Sequence, residues 1–230
     1  MLSDFSQHTR LYLDFKLENQ FKNQNALNAQ GLTKLKTSLA QCKNIRELTI
    51  DLYYNNIGTQ GAIILGQCLQ NCELLESLTL DLYNSNIDEE GLLSLFESFQ
   101  KCQFLKSLIV NLEWNKIHAK TASQMCLFFS KCQSLAFLSL DLSNNQINSQ
   151  EISDLTQGFA NCINLNNLKL FMRNNDINDQ QCKWFFSGLL KCSRISSLEI
   201  DLSGNQISSQ GAQSITLESL HNLTNLKLSL

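Results

Sequence analysis

The chain has 230 residues, with 18 Lys and Arg against 21 Asp and Glu, a formal net charge of -3 and 43% hydrophobic residues. That balance suits a folded domain with a sizeable core, and it makes neither nucleic acid nor an anionic membrane the expected partner. No apolar run approaches the roughly 18 residues of a membrane helix. The opening Met-Leu-Ser-Asp-Phe-Ser-Gln-His has no basic segment followed by an apolar core, so no secretory signal is visible.

In chain order, residues 1–41 form an irregular opening. Leu11, Leu13, Phe15 and Leu17 alternate with polar residues, as expected of a first strand with one buried face. The run from there to Asn25 and Leu27 is longer than in any later copy. From Asn25 a thirty-residue register holds, seen most clearly in Leu-Ser-Leu-Asp-Leu-Ser-Asn-Asn-Gln-Ile from Leu138 to Ile147. Near-copies begin at Leu48, Leu78, Leu108, Leu168 and Leu198. Asn25, Asn55, Asn115, Asn145, Asn175 and Asn205 form one column, broken only by Ser85. An apolar column of Leu27, Ile57, Ile87, Ile117, Ile147, Ile177 and Ile207 follows it. A unit this short cannot bury its apolar face alone, so its copies must stack.

A helix is predicted after each isoleucine. The next position holds Asn28, Gly58, Asp88, His118, Asn148, Asn178 or Ser208, all but His118 being good N-cap residues. Asn148 with Glu151 and Asn178 with Gln181 have capping-box spacing. Apolar residues follow at helical intervals: Ala62, Leu65 and Leu69; Leu92, Leu95 and Phe99; Ile152, Leu155 and Phe159. A cysteine then ends the segment, and the next strand begins. The final repeat is two residues short between Ile207 and Leu220, so Leu220 takes the cysteine position. Leu226, Leu228 and Leu230 form the last strand, and its open edge suggests a fragment of a longer array or an end covered by a partner.

Six of the nine cysteines (Cys42, Cys72, Cys102, Cys132, Cys162 and Cys192) recur every thirty residues; Cys68, Cys126 and Cys182 are extras. One column per coil offers no pairs for disulfides, and buried thiols act as small hydrophobes in a reducing compartment. Cys68 and Cys72 are close in sequence, but His8, His118 and His221 lie far from them, so no four-ligand metal site is expected. No cofactor is expected either.

Strand, asparagine turn, cap, glycine (Gly31, Gly61, Gly91, Gly211), helix, cysteine, strand: this pattern resembles the leucine-rich repeat family. It is most similar to the ribonuclease-inhibitor type, whose repeats carry a true helix. The strand here has one further dipeptide than that family's usual motif, as in Leu48-Thr-Ile50-Asp-Leu52-x-x-Asn55. The resemblance implies an α/β solenoid, a right-handed horseshoe with a concave parallel sheet inside and helices outside. Residues 1–230 would be a single domain: an irregular repeat at 11–41, regular repeats over 42–207 and a shortened one at 208–230.

On the concave face one outward column reads Asp51, Asp81, Asn111, Asp141, Phe171, Asp201. Like charges on adjacent strands are unfavourable, so the column is either an acidic stripe awaiting a basic partner or a relic of duplication, its carboxylates solvated by water and neighbouring loops. Tyr53, Tyr54, Tyr83 and Trp114 lie just past the strands, where they either anchor a partner or cover the turn. Phe137 and Phe171 extend that surface, while Trp184 falls on the outer helices. No phosphate loop, Ser-His-Asp set or metal cluster appears, so no enzyme activity is expected. The expected function is non-catalytic protein binding in the cytoplasm; the alternative is a structural subunit of a cytoskeletal or other large assembly. A GTPase activator ranks below both. An arginine in an early loop is important in the similar Ran GTPase activators, yet loops 53–58 and 83–88 have none, and only Arg173 occupies a post-strand loop.

Overall fold

The computed structural model describes residues 7–17, 27–118, 120–147, 152–217 and 220–230. Asn25 and the Asn148–Glu151 capping box lie outside them, as does the side chain of Cys126. Its contacts divide the chain into two compact units, residues 1–116 and 117–230.

Unit 1 alternates strands and helices: β1 (Arg10–Asp14), α1 (Ala29–Leu39), β2 (Glu47–Asp51), α2 (Gly58–Leu69), β3 (Ser77–Asp81), α3 (Glu89–Phe99) and β4 (Ser107–Asn111). The strands pair in parallel and in order, with Leu48 opposite both Leu11 and Leu78, and Leu78 opposite Leu108. Each helix packs on the next. Unit 2 holds α4 (Lys120–Lys131), β5 (Phe137–Asp141), α5 (Ile152–Ala160), β6 (Asn167–Phe171), α6 (Asp179–Leu189), β7 (Ser197–Asp201), α7 (Ser209–Gln213) and β8 (Asn225–Ser229). Its strands are also parallel and in order, Leu138, Leu168, Leu198 and Leu226 lying side by side.

The alternating leucines turn inward. Leu48, Leu78, Leu108, Leu138, Leu168 and Leu198 are each at most 1% exposed, so each contributes the roughly 1.5–3 kcal/mol expected of a fully buried aliphatic side chain. Leu226 is 51% and Leu230 43% exposed, because β8 is the last strand of its unit.

The asparagine column closes the turns. Asn115 is buried; its amide donates to the Leu82 and Leu112 carbonyls at 2.9 Å, and its Oδ1 accepts the Ile87 N–H at 2.8 Å. Asn175 does the same between Leu142 and Ile147. Every backbone group at these buried corners needs such a partner. Where Ser85 breaks the column, its shorter side chain cannot reach Ile57, and the Gly58 N–H bonds the Ser85 carbonyl at 2.9 Å instead. Helix α2 consequently starts at Gly58, with Ile57 as an N-cap that makes no side-chain bond. Gly58 was the expected cap, so there the position shifts by one. Asn28, Asp88, Asn178 and Ser208 do cap their helices, Asn178 and Gln181 as a full capping box.

The cysteine column has a related role. The Cys162 thiol donates to the Phe129 carbonyl of the preceding coil at 2.7 Å, and Cys102 and Cys192 point likewise at Leu69 and Thr156. Burial pushes the thiols of Cys102, Cys162 and Cys192 up to about 12, so they stay protonated donors. None of the eight described cysteines forms a disulfide. Gly91 permits the close approach of α2 and α3, since a Cβ there would lie 3.0 Å from the Thr59 Cα.

Candidate binding surface on the strand faces

In unit 1 the outward residues of β1–β4 form rows across the sheet. One row is Asp14, Asp51, Asp81 and Asn111, so three carboxylates stand side by side instead of the expected two. Asp14 escaped the sequence column because the opening repeat is longer than the others. The row has a structural explanation that composition did not suggest. Asp51 Oδ1 accepts the Tyr53 N–H and Asp81 Oδ1 the Tyr83 N–H, both at 3.1 Å, while Asn111 serves Glu113 at 3.0 Å. Asp14 does the same for Lys16. Each side chain thus closes an Asx turn at the end of its strand, where no ladder bond is available to that N–H. One carboxylate oxygen of each aspartate is committed to the turn.

Unit 2 repeats the device at Asp141, which accepts the Ser143 N–H at 2.9 Å, and at Asp201, which accepts the Ser203 N–H at 3.0 Å. Phe171 stands between them and cannot. Arg173 spans the gap, its guanidinium 4.0 Å from Asp141 and 3.8 Å from Asp201. Beside it Glu199 accepts from Lys169 at 2.8 Å and from Lys227 at 2.6 Å, and these two bonds hold its carboxyl below the usual range. The acidic column of unit 2 therefore carries its own counter-charge. Whole-sequence counts agree: residues 1–116 contain thirteen acidic and ten basic residues, and residues 117–230 eight of each.

Just past the strands of unit 1 the tyrosines meet. Tyr53 and Tyr83 stack at 4.5 Å between ring centroids, and Tyr54 closes on them at 4.9 and 5.3 Å. Burial, then the neighbouring Tyr54 and Tyr53 and the Glu113 charge, push the Tyr83 hydroxyl up to about 12; Tyr53 is raised mainly by burial, with Asp81 and Glu113 contributing. All three rings are half-buried, whereas Trp114 is 54% exposed and makes no ring contact among the described residues. Two residues of this face went unnoticed in the sequence: Tyr12, 64% exposed in the middle of β1, and Glu113, beside the tyrosines. Phe137, Phe171 and Trp184 are half-buried.

The turn column formed by residues 54, 84, 114, 144, 174 and 204 is left-handed throughout. Its φ angles are 63° at Tyr54, 46° at Asn84, 57° at Trp114, 53° at Asn144 and Asn174, and 74° at Gly204. At four of these positions the N–H bonds a carbonyl of the next coil: Tyr54 to Tyr83 at 3.0 Å, Asn84 to Glu113 at 2.9 Å, Asn144 to Arg173 at 2.8 Å and Asn174 to Ser203 at 3.1 Å. Asparagine and glycine adopt it readily, but bulky L-residues do so at about 1–2 kcal/mol each. Four of the six positions obey that rule. The two exceptions, Tyr54 and Trp114, are both aromatic and both in unit 1.

No protein-family model matches the chain, and no curated protein does. Among solved structures it is similar to one described as leiomodin-1 actin-binding site 2, at a TM-score of 0.52 and 14% identity, covering 68% of this chain and 86% of that one. Stacked parallel strand–helix coils, with an asparagine at each buried corner, decide the architecture. The fold is an α/β leucine-rich repeat solenoid. The ectodomain of the receptor kinase SOBIR1 from Arabidopsis thaliana, itself described as a leucine-rich repeat, overlaps at a TM-score of 0.31 and 19% identity. It covers 63% of this chain and 62% of that one. Among the described residues, no helix is long and apolar enough to cross a membrane.

Proposed function

We propose that the chain is a non-catalytic protein-binding module, a leucine-rich repeat of ribonuclease-inhibitor-like type, whose partner seats on the strand face of unit 1. Tyr53, Tyr54, Tyr83 and Trp114 anchor it, and the negative charge of Asp51 and Asp81 favours a basic complement. The observation that carries this reading is the pair of aromatics at left-handed positions. Strain of this kind persists where another requirement outweighs it, and binding is the requirement an exposed tryptophan beside a tyrosine cluster serves. In unit 2, Asp141, Asp201 and Phe171 play a lesser part, since Arg173 already answers the two acids. The shifted thiols and tyrosines are explained by burial and packing, which supports a surface without reaction chemistry. Free thiols favour a reducing, cytoplasmic setting.

The test is capture from native lysate by wild type beside the Tyr54→Asn/Trp114→Asn double variant, with recovered proteins identified by mass spectrometry. The variant installs the column's own residue and so keeps the fold. Wild type should retain specific proteins that the variant loses; identical recovery would remove the aromatic face from the account. The structural-subunit reading has its own arm. The similar leiomodin-1 structure is named for an actin-binding site, so co-sedimentation with filamentous actin belongs in the comparison, although at 14% identity the fold alone carries over.

A further inference from the structure

Between the helix-to-strand turns that follow α5 and α6, unit 2 has a cavity of about 100 Å³. Phe159 and Leu165, both 1% exposed, line it together with Cys162 and Cys192. Those two thiols are already turned onto the Phe129 and Thr156 carbonyls, so this part of the wall asks nothing polar of an occupant. The other lining residues depart from the thirty-residue register. Ile163, 53% exposed, is the one apolar member of a column that otherwise holds Lys43, Glu73, Gln103, Gln133 and Ser193. Ala160 lines the cavity at the position where the coils of α2 and α3 carry Gln70 and Gln100. Arg194 is the one charged residue in a column of Asn44, Leu74, Phe104, Ser134 and Asn164. It is exposed, and among the described residues neither its side chain nor that of the adjoining Ser193 has a hydrogen-bond or ion-pair partner. One small cavity thus combines an apolar wall, an exposed apolar mouth and an unanswered cation.

We propose that this cavity takes the C-terminal residue of a partner polypeptide, a leucine, isoleucine or valine whose side chain enters it and whose free carboxylate is held by Arg194 and Ser193. On a C-terminal residue the side chain and the carboxylate leave the same Cα, so a single residue answers both the apolar wall and the cation beside it. An internal leucine lacks the charge, and an internal aspartate or glutamate lacks the apolar group. The volume sets the size: an apolar cavity that holds benzene measures roughly 150 Å³, so this one admits an aliphatic side chain and excludes an aromatic one. Arginine's planar fork matches a carboxylate with two parallel N–H bonds, and the Ser193 hydroxyl supplies a further donor. Seating an aliphatic side chain here also covers the exposed Ile163.

The experiment titrates the full chain, methyl-labelled at isoleucine, with acetyl-Gly-Gly-Ser-Leu carrying a free carboxylate, up to millimolar concentrations. The readout is the Ile163 methyl resonance, assigned by its loss in Ile163→Val. The expected result is a saturable shift. Binding should be at least tenfold weaker for the peptide ending in glycine, which loses the buried side chain. It should be several-fold weaker for the C-terminal amide and for acetyl-Gly-Glu-Ser-Leu amide, whose carboxylate is internal. Arg194→Gln should weaken it several-fold, and Ala160→Leu, which installs the register's own Leu190 residue and fills the cavity, at least tenfold. Lys183→Gln, which removes another exposed cation of unit 2, should leave it unchanged. No shift, an equal response to the glycine-ended or either amidated peptide, or indifference to Arg194→Gln or Ala160→Leu overturns the proposal. None of these outcomes bears on the strand face of unit 1, which the Tyr54→Asn/Trp114→Asn capture tests separately.

Discussion

The two units share one scaffold and present different faces. In each, parallel strands bury alternating leucines, asparagines clamp the corners, and carboxylates close Asx turns. Unit 2 then neutralises itself: Arg173 lies between Asp141 and Asp201, and Glu199 holds two lysines. Its left-handed turn positions carry asparagine and glycine, as the backbone prefers. Unit 1 keeps three adjacent carboxylates, excess negative charge and two aromatics where the backbone disfavours them. Where the same architecture allows a relaxed solution and one unit departs from it, the departure marks the surface that stability alone did not shape.

The largest expected effect concerns what the units have in common. Asn115→Ala and Asn175→Ala each strand an isoleucine N–H and buried carbonyls, so each should cost roughly 3–5 kcal/mol, counting about 1–3 kcal/mol per unsatisfied group. Urea unfolding should show similar losses; a near-silent substitution in either unit would mean that its turns are closed by something other than the asparagine.

Next comes the left-handed column, where the comparison can be run in both directions. Trp114→Asn should gain about 1 kcal/mol by relieving strain, and Asn174→Tyr in unit 2 should lose at least about that, forfeiting also the 3.0 Å bond to Asn144. Destabilisation by Trp114→Asn would show that the indole supports the fold and would weaken its assignment to a partner. Smaller still, Arg173→Gln should change stability by less than about 1 kcal/mol, because the guanidinium is 43% exposed and its contacts are long. The same substitution gives unit 2 a net acidic face, a direct way to erase the electrostatic difference between the units.

The smallest effect is set by pH. The Glu76 carboxyl is held down chiefly by the bond from Lys106 and then by that from Arg46, and Glu199 by Lys169 and Lys227. A depressed carboxyl stabilises above its unfolded pKa, and that contribution disappears as pH falls through the lower folded value. Thermal unfolding should therefore show a shallow loss of stability below the ordinary glutamate range near 4.3, weakened further by salt, since both ladders are at the surface. A Glu76→Gln/Glu199→Gln variant should flatten that part of the profile; an unchanged slope would assign it to other carboxylates.

How much of this was legible follows from the register. Asn55, Asn115, Ile87, Cys102 and the strand leucines recur at thirty residues, and a period of that length dictates stacked coils without further information. The turn column was also there to be read, since Tyr54, Asn84, Trp114, Asn144, Asn174 and Gly204 align in the same register, and a majority of asparagine and glycine signals a left-handed backbone. Asp14 was hidden because the longer opening repeat displaces it from the register. The pairing of Arg173 with Asp141 and Asp201 was out of reach, because it depends on a side chain leaning across strands into the space Phe171 leaves. The Asx turns required knowing which N–H groups the ladder leaves unpaired.

Oxidative footprinting of the native complex, read residue by residue with and without the captured partner, goes most directly to the division of labour between the two faces. Tyr54, Tyr83 and Trp114 should be protected in the complex, while Phe137 on unit 2 keeps its reactivity. Protection confined to Phe137 and Phe171, with Trp114 as reactive as in the free chain, would contradict the assignment of recognition to unit 1.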